Sequence, residues 1–141
     1  MADQKDMTNK YLELQRVEQQ LKQVNQQLLT LDTQLAELQQ LEENLDDLSK
    51  TKKDTEMLVA LGGGVFSKAE LKENKKVLMN VGADIIIEKD IPSSKKVISD
   101  QVNQIKEVVV QMEQEFQILA MNSQMLQQDI QKLSPETTKE Q

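Results

Sequence analysis

MLVALGGGVFSKAELKENKKVLMNVGADIIIE, residues 57–88, decides the fold. Met57-Leu58-Val59-Ala60-Leu61 is a short apolar run, closed by Gly62-Gly63-Gly64. Val65 to Leu71 follows, then a polar turn around Glu73-Asn74-Lys75, the run Val77 to Val81, the turn Gly82-Ala83-Asp84, and Ile85-Ile86-Ile87-Glu88. Valine and isoleucine fit a pleated surface better than a helix. Four short runs divided by Gly-rich or polar turns predict two successive β-hairpins within residues 56–89. In the second strand Val65, Ser67, Ala69 and Leu71 share one face, and in the third Val77, Met79 and Val81 do.

Outward on both sides the periodicity changes. From Leu14 through Val17, Leu21, Val24, Leu28, Leu31, Leu35 and Leu38, apolar residues recur at alternating steps of three and four. That is a coiled-coil seam, and it predicts a helix over 6–54. Leu41 follows Leu38 by three again before Leu45 and Leu48, which reads as a stammer. Beyond the hairpins the seam Ile98, Val102, Ile105, Val109, Met112, Phe116, Leu119, Ser123, Leu126, Ile130, Leu133 alternates strictly and predicts a helix over 93–133. Asp90, Ser93 or Ser94 caps its start and Pro92 suits a first turn. Pro135 ends it, leaving 134–141 as a tail. At ~1.5 Å per residue each helix is roughly 60–75 Å long. The expected fold is α+β: a long antiparallel two-helix coiled coil with two β-hairpins between the helices.

Hairpins with no covering layer are marginal in water, and their unpaired edges invite other chains. The middle therefore predicts assembly. Val65, Phe66, Leu71, Val77, Leu78, Met79, Val81, Ile85, Ile86 and Ile87 are the candidates for burial between subunits.

Composition narrows the function. The 141-residue chain has 2% aromatic residues, no Trp, and a formal charge of −7. A thin elongated fold is therefore expected, and nucleic-acid binding is not. Arg16 is the single arginine. With no Cys and no His, thiol chemistry, disulfides and Cys- or His-ligated zinc are excluded. No signal peptide and no membrane-spanning run is apparent, and a cytoplasmic protein without cofactor or metal is expected.

Three features invite sharper readings. Gly62-Gly63-Gly64 lacks the following helix and the Lys-Ser order of a phosphate loop, so it reads as a turn needing positive φ. Glu42-Glu43 and Asp46-Asp47 read as a solvated helix face rather than a cation site. Lys72, Lys75 and Lys76 read as a solvated turn, with a basic docking spot as the alternative.

Helix, two hairpins, helix resembles the alpha-type subunit of the prefoldin family. The likeness is carried by Leu61 to Leu71, with its Gly turn, aliphatic-aromatic strand and Lys68-Ala69-Glu70-Leu71 ending, followed by Val77 to Val81 and Gly82-Ala83-Asp84. Beta-type subunits have one hairpin, so the second points to the alpha type. The Lys-rich, Arg-poor composition is closer to archaeal members. The resemblance implies a hetero-hexamer of two alpha-type and four beta-type subunits whose strands form a double β-barrel platform. It also implies coiled-coil tips that hold unfolded proteins without ATP and deliver them to a group II chaperonin. Met7, Tyr11, Leu12 and Leu14, with Met121, Met125, Leu126, Ile130 and Leu133, are then the candidate client-binding residues, and Ile118 lies off the seam beside them. Flexible, polarizable methionines suit such a surface. A non-enzymatic coiled-coil scaffold and a filament-forming prefoldin paralogue are the alternatives.

Overall fold

The computed structural model describes residues 2–133, and the expected tail at 134–141 lies outside them. The order is α1 (Ala2–Lys50), β1 (Glu56–Gly62), β2 (Val65–Glu70), β3 (Lys76–Asn80), β4 (Ile86–Asp90) and α2 (Ile91–Leu133). Each strand pair is a separate antiparallel hairpin, β1 with β2 and β3 with β4. The described residues form two compact units, one of residues 2–34 with 105–133 and one of residues 35–104.

The helical unit pairs the beginning of α1 with the end of α2. Val17, Val24, Ser123 and Ile130 are buried there, and the other apolar seam positions are half-buried. Lys10 bonds Asp129, whereas Gln23 to Gln34 share a groove with Val108 and Met112, so the two segments run antiparallel.

The hairpin unit has its own core of Leu45, Ile91, Ile98 and Val102, with Leu35, Leu38, Leu48, Val77 and Met79 packed against it. The Asp46 carboxylate holds the Lys95 ammonium beside this core. Two expectations need correction here. Leu41 is 38% exposed, and the half-buried position is Glu42, so the steps from Leu38 through Glu42 to Leu45 are four and three. Two steps of three in succession then fall at Glu42, Leu45 and Leu48 instead of at Leu35, Leu38 and Leu41. Asp46, expected on a solvated face, is half-buried in an ion pair.

The helix ends also shift. α1 stops at Lys50, not at 54, because Thr51 N–H bonds the Leu48 carbonyl and the Thr51 hydroxyl bonds that of Asp47. Asp54 then takes positive φ (66°) and its N–H bonds the Leu71 carbonyl at 2.7 Å. Leu71 N–H returns a bond to Thr55 O at 3.0 Å, which ties the linker to the end of the first hairpin. α2 starts at Ile91, two residues before expected. Asp90 Oδ1 accepts from Ser93 N–H at 2.7 Å, the geometry of an N-cap bonding the third helical N–H. Pro92 thus falls in the first turn, where its missing N–H leaves nothing unsatisfied.

In the first hairpin Gly62 faces Val65, so Gly63 and Gly64 form a two-residue turn with φ of 55° and 80°. Two positive values match the type that follows strand twist, and glycine adopts them without a Cβ clash. The second hairpin turns through three residues, Gly82 to Asp84. Val81 N–H bonds Ile85 O, Ile85 N–H bonds Gly82 O, and Gly82 N–H bonds Asn80 Oδ1, each at 2.9 Å. Ala83 and Asp84 hold positive φ there, 49° and 59°, without being glycine. A residue with a Cβ is strained in that region.

Candidate functional site

Two apolar surfaces are left uncovered, one on each unit. On the hairpin unit, β1 is exposed along its whole length. Pairing of Met57 with Ala69, Leu58 with Lys68, Val59 with Ser67 and Ala60 with Phe66 puts apolar side chains on both faces of this hairpin. Val65 and Phe66 are both more than half exposed. A two-stranded ribbon apolar on both faces cannot keep water away from itself.

The second hairpin is sided. Val77 and Met79 pack on the core, and their cross-strand partners Lys89 and Ile87 are half-buried with them. Leu78 and Ile86 on the opposite face are exposed, as are Val81 and Ile85 at the turn. The ten expected interface residues therefore divide. Val65, Phe66, Leu78, Val81, Ile85 and Ile86 are open, Ile87 and Leu71 are half-buried, and Val77 and Met79 belong to the chain's own core. Alternation along β3 separates them, because side chains one residue apart point to opposite faces.

On the helical unit, Ile118, Met121 and Met125 are 61%, 63% and 60% exposed. Steps of three and four place them in one stripe, roughly 135° around α2 from the seam at about 100° per residue. A stripe so far round faces away from α1. Tyr11 and Leu12 on α1 are also exposed. The Lys10–Asp129 bond, one turn away, brings this part of α1 level with the turn of α2 that carries Met125. Of the other expected tip residues, Met7, Leu14, Leu126 and Leu133 are half-buried along the seam. Ile130 is 7% exposed, as its seam position implies, so little of its side chain is offered outward, whereas Ile118, off the seam, is open.

The groove in the helical unit, about 680 Å³, is open and lined by Gln23, Gln26, Gln27, Thr30, Leu31, Gln34, Val108 and Met112, with no titratable group. Among the described residues no His, Cys, Asp or Glu side chains cluster as a metal site, and no helix is long and apolar enough to cross a membrane. Asp46 and Asp90 are held below the ordinary carboxylate value, by the Lys95 ammonium and by hydrogen bonding from Ser93 respectively. Both carboxylates serve structure, one as a cross-helix pair and the other as a cap.

Comparison with known proteins agrees with this architecture. The family model of the prefoldin subunit matches residues 17–136. The chain is similar to prefoldin subunit alpha of Archaeoglobus fulgidus, with 24% identity over 130 residues, 92% of this chain and 95% of that one. It is similar to prefoldin subunit alpha of Methanococcus aeolicus over a shorter stretch, with 42% identity over 52 residues, 37% of this chain and 36% of that one. A filamentous PFD from Methanocaldococcus jannaschii, solved by cryo-EM, shares the fold with a TM-score of 0.73 at 22% identity, over 83% of this chain and 98% of that one. Two long helices joined through two hairpins, matched by the family model over most of the chain, establish that this protein belongs to the prefoldin family as an alpha-type subunit.

Proposed function

We propose that the chain is the alpha-type subunit of an ATP-independent holdase. Prefoldin is a chaperone family whose subunits assemble with one another, and the uncovered hairpins of this chain fit that role. In this reading two such chains combine with four beta-type subunits, and their strands join in a β-barrel platform that buries Leu58, Val65, Phe66, Leu78 and Ile86. Unfolded proteins are held by apolar side chains on the helical unit and passed to a group II chaperonin.

The observation that carries the reading is the stripe Ile118, Met121 and Met125, exposed on a helix whose seam is already filled. The step needs only binding. Apolar contacts are non-directional, so they accept clients of unrelated sequence. Methionine adapts to whatever shape it meets. Each contact is weak, and several subunits acting together add avidity while leaving release possible.

Solution mass by light scattering tests this, with the chain alone and after mixing with a beta-type subunit, followed by aggregation suppression of a denatured client. A hexamer-sized complex that forms on mixing and keeps the client in solution is the expected result. A homo-oligomer without holding activity contradicts it in favour of a scaffold, and an indefinitely long assembly of this chain alone in favour of a filament.

A further inference from the structure

Sulfur in this chain is thioether alone, because there are seven methionines and no cysteine. Six of the seven fall among the described residues, and the fold sorts them. Met79 packs on the core of the hairpin unit, Met112 is half-buried in the groove of the helical unit, and Met7 is half-buried along the seam. Met57 is 37% exposed, on the hairpin that the proposed assembly engages. Met121 and Met125 stand apart at 63% and 60%, four residues from each other on one face of α2.

Sulfur and exposure together give this pair a chemistry that the rest of the stripe lacks. Ile118 supplies apolar area only, and leucine, which fills most of the α1 seam, would supply as much at positions 121 and 125. Methionine adds a thioether open to solvent, which a peroxide oxidises. The sulfur lone pair attacks one peroxide oxygen, and the O–O bond breaks as the S–O bond forms. The leaving hydroxide takes the proton of the transferred oxygen, so the thioether becomes a sulfoxide and the peroxide becomes water. The product is polar and hydrated, and covering it with an apolar segment strips water from an S–O dipole left unpaired. Two such groups one turn apart change most of the stripe, while the seam beneath, whose Met112 is half-buried, keeps the helices paired.

We propose that Met121 and Met125 form a reversible oxidation site that sets the holding strength of the stripe. A peroxide lowers it, and methionine sulfoxide reductases restore it. The proposal rests on the reading of Ile118, Met121 and Met125 as the client-holding surface. Ile118 keeps its apolar side chain after oxidation, as do Tyr11 and Leu12 on α1, so the loss is partial.

The test treats the chain, assembled with its partner subunits, with hydrogen peroxide, removes the oxidant with catalase, and only then adds a denatured client. Peptide mass spectrometry follows each methionine. Met121 and Met125 should oxidise at least about fivefold faster than Met79 and Met112, and holding capacity should fall by about a third or more as they do. Reductases for both sulfoxide epimers should return it. The variant Met121→Leu, Met125→Leu keeps the apolar area without the sulfur, so it should hold as the native complex does and lose less than about a tenth after peroxide. An equal loss in that variant places the damage elsewhere and overturns the proposal. Full holding by a complex in which both sulfoxides have formed overturns it too, as does faster oxidation at Met79 or Met112. Failure of the underlying reading has a different signature. Full holding by the unoxidised Ile118→Ser, Met121→Ser, Met125→Ser complex removes the reading and the proposal together, whereas an impaired serine variant beside an oxidised native complex of full capacity removes the proposal alone.

Discussion

Lys10 Nζ donates to Asp129 Oδ2 at 3.0 Å, joining residues 119 positions apart in the chain. Both side chains are partly exposed, at 31% and 44%, so the pair contributes modestly, yet it fixes which turn of α1 faces which turn of α2. A one-turn slip of the helical unit would still match apolar seam positions, and this pair opposes it. A double-mutant cycle with Lys10→Gln and Asp129→Asn should give a coupling of about 0.2–1 kcal/mol that shrinks with added salt. Exchanging the charges, Lys10→Asp with Asp129→Lys, should recover most of it. Thermal unfolding followed by circular dichroism reads the effect.

Acid should weaken the hairpin unit through two named carboxylates. Asp90 is held below its ordinary value of 3.8 by hydrogen bonding from Ser93, through side chain and backbone N–H, and Asp46 by the hydrogen bond from Lys95. A carboxyl whose folded pKa is depressed stabilises fully above its unfolded pKa and loses that contribution as pH falls through the folded value. Melting temperature should therefore be flat from about pH 7 to about pH 5 and fall below about pH 4. Asp90→Asn keeps a capping side chain, so it should change little at neutral pH and make the acid limb shallower.

The two faces of β3 should respond differently to the same change. Met79→Ser removes a side chain packed on the core and should destabilise the chain by about 1–3 kcal/mol. Leu78 is exposed on the other face. Leu78→Ser should change the stability of the chain itself by less than about 0.5 kcal/mol, while lowering the yield of assembled complex. Denaturant unfolding and light-scattering mass, measured on both variants, separate the effects.

Backbone strain predicts opposite outcomes in the two turns. Ala83 has a φ of 49° and Gly64 a φ of 80°. Ala83 bears the left-handed penalty of a residue with a Cβ, so Ala83→Gly should be neutral or stabilising by up to about 1 kcal/mol. Gly64 already has the residue its turn needs, and Gly64→Ala should destabilise by about 1 kcal/mol. Chemical denaturation of the assembled protein provides the comparison.

Much of this architecture is legible in residues 57–88, because glycine turns and β-branched runs are local signals. The seam of α2 is legible for the same reason, since its strict alternation leaves one register. Leu41 misled because leucine after Leu38 matches a three-residue step, and half-burial of the charged Glu42 has no apolar signature. Burial of Ile130 follows from its place in the α2 seam, and exposure of Ile118, Met121 and Met125 from their places off it. Val77 and Met79 share a strand with Leu78, and only the packing of β3 on the core of Leu45 and Ile98 shows which face is inward.

The most direct test of the account is aggregation suppression of a denatured client by the complex carrying Ile118→Ser, Met121→Ser and Met125→Ser. These side chains lie off the seam, so the complex should keep its mass and helicity while its holding capacity falls by about half or more. Full holding by an intact triple variant would contradict the assignment of the stripe as the client-binding surface.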